Sequence, residues 1–156
     1  MLAVLGLGSN LGDREANLAG ALDRLEQFTR ILGISNVYET APFDVLSQQE
    51  DYLNCCVMLD TELDPEALLD RCLDIEAQLG RVREEYHGAR TLDIDLLVCQ
   101  GFSSQTPRLT LPHPGILERA FVMVPLSDLF PGREALGLDF SAAYEAVDKT
   151  GVRLYK

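Results

Sequence analysis

The sequence predicts an α+β fold whose elements follow the order β-α-β-β-α-β, with further elements toward the C-terminus. Three observations predict it: two apolar stripes with helical spacing, four β-rich segments around them, and glycine or proline signals at the boundaries. A chain of 156 residues fits one hydrophobic core, so we expect residues 1–156 to form a single domain.

The first half of the chain is expected to form one helix and three strands. Residues 2–7 are apolar and run into a glycine-rich turn, which predicts a buried strand. Residues 31–38 and 52–59 predict the second and third strands, and residues 39–51 predict a long loop between them. Apolar residues at helical spacing predict a helix after the first strand, namely Leu18, Ala21, Leu22, Leu25 and Phe28.

The second helix has signals at both ends. Asp64 followed by Pro65 is typical of a helix start, because aspartate accepts hydrogen bonds from free amides and proline suits the first helical position. Gly80 is typical of a helix end. The expected buried stripe comprises Leu68, Leu69, Cys72, Ile75 and Leu79.

The segment TLDIDLLV at residues 91–98 predicts the fourth strand, because side chains alternate between the two faces of a strand. The expected apolar face is Leu92, Ile94, Leu96 and Val98. The expected polar face is Thr91, Asp93 and Asp95.

Beyond Gly101 we expect a hairpin around residues 108–111, a helical turn with an apolar segment, and a short helix near residues 141–147. The order of elements is that of the split βαβ, ferredoxin-like arrangement. In that fold an antiparallel sheet carries two helices on one face, and here C-terminal additions would follow.

Charge and cysteine content argue against several classes of protein. The net charge is −12, with 13 Lys and Arg against 25 Asp and Glu, which argues against non-specific binding of nucleic acid. The four cysteines show no C-x-x-C spacing, and no signal peptide or apolar run of membrane-spanning length is apparent. We therefore expect reduced, buried thiols in a cytoplasmic protein, and no apolar stripe remains to suggest anything but a monomer.

Asp93 and Asp95 are the first candidates for chemistry. Neighbouring carboxylates repel each other unless a cation lies between them, and Mg²⁺ prefers oxygen ligands and commonly arrives with phosphates. Arg81, Arg83 and Arg90 precede the pair and offer planar donors that match phosphate oxygens. The pattern indicates metal-assisted phosphoryl chemistry. The alternative is a solvated strand face whose acids pair with these arginines.

Six segments together resemble one enzyme family, the hydroxymethyldihydropterin pyrophosphokinases of folate biosynthesis. The segments are GLGSNLGD (6–13), YETAPF (38–43), DYLN (51–54), GRVR (80–83), ARTLDIDLL (89–97) and LPHPGILERAFVMVPL (111–126). Each is weak alone, but all six occur in the order and spacing of the family. The resemblance implies transfer of pyrophosphate from ATP, the co-substrate, to 6-hydroxymethyl-7,8-dihydropterin, with release of AMP.

The resemblance also implies roles for individual residues. Asp93 and Asp95 match the acids that hold two Mg²⁺ ions, and with Arg81 and Arg90 they match the catalytic set. The expected contacts to the ATP phosphates are Arg81, Arg90, His113 and Arg119. The expected contacts to the pterin are Thr40, Ala41, Phe43, Tyr52, Asn54, Asp93 and Phe121.

The chain departs from the family pattern in two places. An Arg-Trp-Gly-Pro-Arg run is common before the acidic strand, whereas residues 86–90 here read YHGAR, and Leu73 stands where a polar residue is often seen. Weaker binding of ATP or altered closure of this loop is therefore expected.

Two rival interpretations stay open at the level of sequence. One is a non-catalytic binding module on the same fold, which would not explain two acids facing arginines. The other is a different Mg-dependent nucleotide enzyme that releases ADP, which would have no use for the YETAPF, DYLN and RAFVM segments.

Overall fold

A computed structural model of the chain describes residues 1–41, 51–80 and 91–156. Up to residue 99 the elements are β1 (Leu2–Ser9), α1 (Arg14–Leu25), β2 (Arg30–Ile34), β3 (Tyr38–Thr40), β4 (Tyr52–Asp60), α2 (Pro65–Gln78) and β5 (Asp93–Cys99). The later elements are β6 (Ser104–Gln105), β7 (Thr110–Leu111), a 3-10 turn (Ile116–Glu118), α3 (Ala120–Leu129), β8 (Glu134–Ala135), β9 (Leu138–Asp139), α4 (Ser141–Ala146) and β10 (Val152–Leu154). The predicted hairpin and short C-terminal helix are confirmed.

The main sheet has the strand order β10-β3-β4-β1-β5, and β2 also pairs with β4. Each strand pair of this sheet in the described residues is antiparallel. The predicted α+β class with an antiparallel sheet is therefore confirmed, and β1 and β4 lie at its centre.

The predicted second strand is in fact two strands. β2 pairs with the C-terminal half of β4 and β3 pairs with its N-terminal end. The interruption falls at Ser35, whose backbone N–H donates to the carbonyl of Cys56 at 2.9 Å while its Oγ accepts from the Cys56 N–H at 2.8 Å. A side-chain hydroxyl therefore takes a place that a backbone group would hold in a regular ladder.

Both helices that follow β1 and β4 begin as predicted. The carboxylate of Asp13 accepts from the Ala16 N–H, and the carboxylate of Asp64 accepts from the Ala67 N–H at 2.8 Å. Gly80 follows α2 with φ of +76°, a conformation that glycine adopts without strain. Glu39 and Thr40, which were predicted to begin a loop over residues 39–51, belong to β3 instead. Residues 42–50 of that predicted loop lie outside the described ranges.

Each face of the sheet has its own hydrophobic core. On the first face, α1 and α2 pack on inward side chains of the strands, among them Leu5 and Leu53. On the second face, α3 and the segment around Phe140 pack on Val4 and Cys56. The two helices expected on one face are found there, and the C-terminal elements cover the other face.

The alternation predicted for β5 holds only up to Leu96. Leu5 pairs with Leu96 while Val4 pairs with Val98, so Leu97 is an extra residue, a β-bulge. Leu97 and Val98 both pack in the second core, whereas Ile94 and Leu96 pack in the first. The placement of Val98 with Ile94 and Leu96 was therefore wrong, because a bulge shifts the following side chains to the opposite face.

All four cysteines are free and buried, as predicted. Burial raises the pKa of the Cys55 thiol to about 12, so this thiol is neutral at physiological pH. Within the described ranges, no helix combines the length and the apolar character needed to span a bilayer.

Candidate active site

A cavity of about 540 Å³ lies over one end of the sheet. Its walls come from β1, β3, β4 and β5, from α2, and from the first turn of α3 with the segment before it. Nine of the residues expected to contact ligands line it: Thr40, Ala41, Tyr52, Asn54, Asp93, Asp95, His113, Arg119 and Phe121. The structure thus brings together residues that lie up to 81 positions apart, from Thr40 to Phe121.

Asp93 and Asp95 project from β5 beside two glycines of β1. Asp93 pairs with Gly8, and Asp95 pairs with Gly6. On the other side of β1, Gly8 pairs with Asn54 of β4. Asp93, Gly8 and Asn54 therefore form one row across three strands, with about 10 Å between the outer backbones.

Gly8 keeps the middle of this row free of side chains, and Gly6 does the same beside Asp95. A Cβ on Gly8 would lie 3.0 Å from Oδ1 of Asn54 and 3.4 Å from Cδ1 of Tyr52. A Cβ on Gly6 would meet the Leu97 side chain at an ordinary 3.5 Å. Gly8 therefore lets the Asn54 side chain lie against β1, and the space between the acids and the amide stays open.

Asn54 is held by a neighbour on β3. Its Nδ2 donates to Oγ1 of Thr40 at 2.8 Å, and both residues are buried. The two lie diagonally on adjacent strands, since Thr40 pairs with Tyr52 in the ladder. With one amide hydrogen taken by Thr40, the amide is fixed in orientation and keeps its remaining hydrogen-bonding capacity for a ligand.

His113 is fixed on both sides by backbone groups. The backbone N–H of His113 donates to the carbonyl of Leu97 at 2.8 Å, and the ring Nδ1 accepts from the Gly115 N–H at 3.0 Å. Burial lowers the pKa of the imidazole; the charge of Asp95 opposes this shift and that of Arg119 adds to it. Because Nδ1 accepts, the neutral ring carries its hydrogen on Nε2, as assigned from the hydrogen bonds.

Arg119 precedes α3 and lies near both His113 and Phe121. Its Cζ is 5.8 Å from the centre of the Phe121 ring. A Cβ on Gly115 would lie 2.7 Å from the same Cζ, so the guanidinium packs directly on the Gly115 backbone. A side chain there would displace it. The cavity thus has an acidic wall at β5, formed by Asp93 and Asp95, and an amide wall at β4, formed by Asn54 with its partner Thr40. Arg119 and Phe121 line it at the start of α3.

Comparison with known proteins identifies the family of this chain. A sequence model described as 7,8-dihydro-6-hydroxymethylpterin-pyrophosphokinase (HPPK) matches residues 4–131. The chain belongs to this family. A 2-amino-4-hydroxy-6-hydroxymethyldihydropteridine pyrophosphokinase of Methylorubrum extorquens is 44% identical over 96% of this chain and 96% of its own length. The enzyme of the same name from Bacillus subtilis is 37% identical over 99% of this chain and 90% of its own length.

Solved structures support the same fold. The HPPK-DHPS protein of Plasmodium falciparum in its wild-type form matches 92% of this chain with a TM-score of 0.66 at 17% identity. The chain spans 43% of that protein's length. At this identity the likeness concerns the fold alone. The family predicted from sequence, and with it the assignment as a pyrophosphokinase, is confirmed by the family match and the two relatives.

Several predicted pyrophosphokinase residues lie outside the described ranges. Arg81, Arg90 and Phe43 are among them, as is the YHGAR segment at residues 86–90. Their roles, and the expected weaker binding of ATP, stay predictions. Leu73, the other departure from the family pattern, lines the cavity from α2 and is 43% exposed.

One cavity residue was missed in the sequence. Glu76 of α2 is buried, and its Oε2 accepts from the Ile94 N–H at 2.7 Å, between the two acids of β5. The link joins α2 to the strand that carries Asp93 and Asp95. An acid beside Ile75 and four residues after Cys72, within a buried stripe, is the signal that would have found it.

The acid pair suits the Mg²⁺ that the family implies. Asp95 is exposed and Asp93 half-buried, so both carboxylates are accessible at the cavity wall. Among the described residues no group of three or more His, Cys, Asp or Glu is arranged to hold a metal. Two carboxylates fit Mg²⁺, which keeps waters and takes phosphate oxygens instead of filling an all-protein cage.

Proposed function

We propose that this chain transfers the pyrophosphoryl group of ATP to the hydroxymethyl oxygen of 6-hydroxymethyl-7,8-dihydropterin. The products are the pterin diphosphate and AMP, and the reaction belongs to tetrahydrofolate biosynthesis. The observation that carries the proposal is the Asp93–Gly8–Asn54 row, which joins an acidic wall to an amide wall in one cavity of a family member.

The amide wall takes the pterin. Asn54, fixed by Thr40, meets the hydrogen-bonding edge of the ring. Tyr52 and Phe121 offer aromatic surface to its faces, and Ala41 and Phe43 complete the pocket. Phe43 is assigned to the pocket from the family resemblance alone. A buried amide in a fixed orientation favours a ring with matching donors and acceptors over one without them.

The acidic wall, with His113 and Arg119, takes the phosphates of ATP. Nε2–H of His113 donates to a phosphate oxygen, and the Gly115 N–H at Nδ1 holds the ring in the orientation for this bond. Arg119 supplies a positive charge beside it. Arg81 and Arg90 are assigned to the phosphates by the resemblance.

Asp93 and Asp95 would hold the two Mg²⁺ ions that the resemblance implies, and the ions would supply positive charge to the triphosphate. The carboxylates keep the ions at the edge of the sheet, and Glu76 steadies this edge through the Ile94 N–H.

The reaction is one displacement. The alcohol oxygen bonds to the β-phosphorus and its proton passes to solvent, while the bond from that phosphorus to the oxygen shared with the α-phosphorus breaks and AMP leaves with that oxygen. The protein contributes position and charge, because phosphoryl transfer passes through a loose transition state that needs little covalent help. The sheet fixes the distance between the acidic wall on β5 and the amide wall on β4.

Further assignments accompany this function. The strand order β5-β1-β4 with β2 and β3 beyond, and α1 and α2 on one face, supports a ferredoxin-like split βαβ fold whose second strand is divided. Residues 1–156 act as one pyrophosphokinase domain, a monomer in the cytoplasm.

A product assay tests the function. Purified protein is incubated with Mg-ATP with and without the pterin, and AMP is resolved from ADP. AMP that depends on the pterin supports the proposal. ADP would indicate an ordinary kinase, and pterin binding without any nucleotide product would indicate a binding module. Asp95→Asn is the matched control, since it removes one charge from the acid pair and leaves the side-chain shape.

A further inference from the structure

The C-terminal strand, β10, lies next to β3, which carries Thr40 of the amide wall. β10 pairs with β3 in the register Val152 with Thr40, Arg153 with Glu39, and Leu154 with Tyr38. The ladder continues past the strand, where the Tyr155 N–H donates to the Val37 carbonyl at 2.8 Å. These residues follow the segment 4–131 that the family model matches. β3, only three residues long, is thereby enclosed between β4 and β10.

An ionic cluster of Arg14, Glu39, Asp51 and Arg153 lies on the face of the sheet opposite the Thr40 side chain. Strand alternation directs Glu39 and Arg153 away from Thr40 and toward the start of α1. Nη2 of Arg153 donates to Oδ2 of Asp51 at 2.7 Å and to Oε1 of Glu39 at 3.4 Å. Nη1 of Arg14 donates to Oε2 of Glu39 at 2.6 Å and to the Asp51 carbonyl at 2.8 Å.

Both arginines therefore bridge the same two acidic residues. Glu39 directly precedes Thr40 of β3, and Asp51 directly precedes Tyr52 of β4. The bridges therefore connect two neighbouring strands that each contribute a side chain to the cavity. Hydrogen bonds from the arginines lower the pKa of Glu39, that from Arg14 most, so its carboxylate stays charged and able to accept. Thr40 in turn holds the amide of Asn54.

We propose that β10 is a positioning element for the pterin subsite, in which Arg153 and the β3–β10 ladder hold Thr40 and, through it, Asn54. Arg153 touches no substrate; it acts from the far face through the backbone of β3. This inference rests on the proposed function, because the subsite is that of the pterin. It adds residues beyond the six segments that carry the family resemblance.

The test compares two variants of the same segment. Arg153→Ala removes one of the two bridges between Glu39 and Asp51, and Arg14 keeps the other. Lys156→Ala removes a neighbouring ion pair, in which Nζ contacts Glu15 at 2.7 Å, and leaves both bridges intact. Affinities for 6-hydroxymethyl-7,8-dihydropterin and for Mg-ATP are each measured by titration calorimetry. Turnover at saturating substrates and amide exchange in residues 38–40 are measured alongside.

In Arg153→Ala we expect the Kd of the pterin to rise about fivefold, the most that an exposed ion pair commonly contributes. The Kd of Mg-ATP and the saturated turnover stay unchanged, and amides 38–40 exchange faster. Lys156→Ala behaves as the parent protein. Arg153→Lys restores part of the affinity, because an ammonium reaches one of the two acids. A merely structural role would weaken both substrates together.

Other outcomes overturn the inference. Equal loss of affinity for pterin and Mg-ATP, or unchanged pterin affinity in a folded Arg153→Ala protein, would show that β10 does not position this subsite. If the parent protein binds the pterin but forms no AMP, the proposed function fails while the binding comparison still decides the role of β10. If the parent binds no pterin, both proposals fail.

Discussion

Nδ2 of Asn54 donates a hydrogen bond of 2.8 Å to Oγ1 of Thr40, across two strands and within the cavity wall. The bond joins the YETAPF segment (38–43) to the DYLN segment (51–54), which follows it after seven residues of sequence. It leaves the amide with a defined orientation before any ligand binds. The bond therefore makes these two segments neighbouring parts of one cavity wall.

Thr40→Val should weaken pterin binding by about tenfold, because valine has the same shape but leaves the buried amide of Asn54 without its acceptor. Titration calorimetry with the pterin measures the change, and Mg-ATP binding should stay near that of the parent. Thr40→Ser keeps the hydroxyl and serves as the control. Equal pterin affinity in the valine and serine variants would exclude this role of the bond.

Asp95→Asn should reduce turnover by about 100-fold or more, since Mg²⁺ would lose one of two charged ligands and with it several kcal/mol of charge stabilisation. Thermal unfolding should be unchanged or occur at higher temperature, because Asp95 is exposed and a carboxylate two residues away no longer repels it. Asp23→Asn, at an exposed position of α1, is the control. Turnover near that of the parent in Asp95→Asn would contradict a metal-binding role.

Gly115→Ala should raise the Kd of Mg-ATP by about tenfold through Arg119, whose Cζ lies 2.7 Å from the added Cβ. Gly115 has φ of −87° and ψ of −6°, which alanine adopts freely, so stability should not fall. Gly132→Ala adds a Cβ where no atom lies within 4 Å and is the matched control. If both variants bind Mg-ATP as the parent does, Arg119 needs no such placement.

His113 should titrate below the ordinary imidazole pKa of 6.5 in the protein without ligands. A folded-state pKa below the unfolded value means that the unfolded chain binds the proton more tightly. The free energy of unfolding should therefore fall as the pH drops from 6.5 to the folded-state pKa, and the contribution is complete above 6.5. His113→Gln should remove this slope.

Nuclear magnetic resonance of the imidazole nitrogens measures the titration directly, with His87→Gln as a background that leaves one histidine. Above the folded-state pKa, the hydrogen should be found on Nε2, because Nδ1 accepts from the Gly115 N–H. A ring that titrates above 6.5, or that carries its hydrogen on Nδ1, would contradict the arrangement around His113.

Local patterns were enough to predict most elements, and together with the family segments they supplied nine of the 20 residues that line the cavity. The start of α2 at Asp64 and Pro65 depends on interactions within one turn, so its signal lies in adjacent residues. Asp93 and Asp95 share a face because strand alternation holds over their short spacing. The family segments place Asn54, His113 and Arg119 in the site because each segment keeps its own residues and spacing.

Other features depend on contacts between residues far apart in sequence, which no short window contains. The bulge at Leu97 arises from the pairing of β5 with β1, and it moved Val98 to the second core. The division of the second strand at Ser35 reflects hydrogen bonds to Cys56 of β4. Glu76 looks like one more helix acid until its hydrogen bond to the Ile94 N–H is seen.

The sequence by itself determined the family, the antiparallel α+β class and the acid pair, because these follow from periodicity and from motifs a few residues long. Only the tertiary structure decided which walls these motifs form. Strand register produces the row from Asp93 through Gly8 to Asn54. It also places Arg153 where it can donate to Glu39 and Asp51. Register is set by the packing of both sheet faces at once, a property of the whole fold.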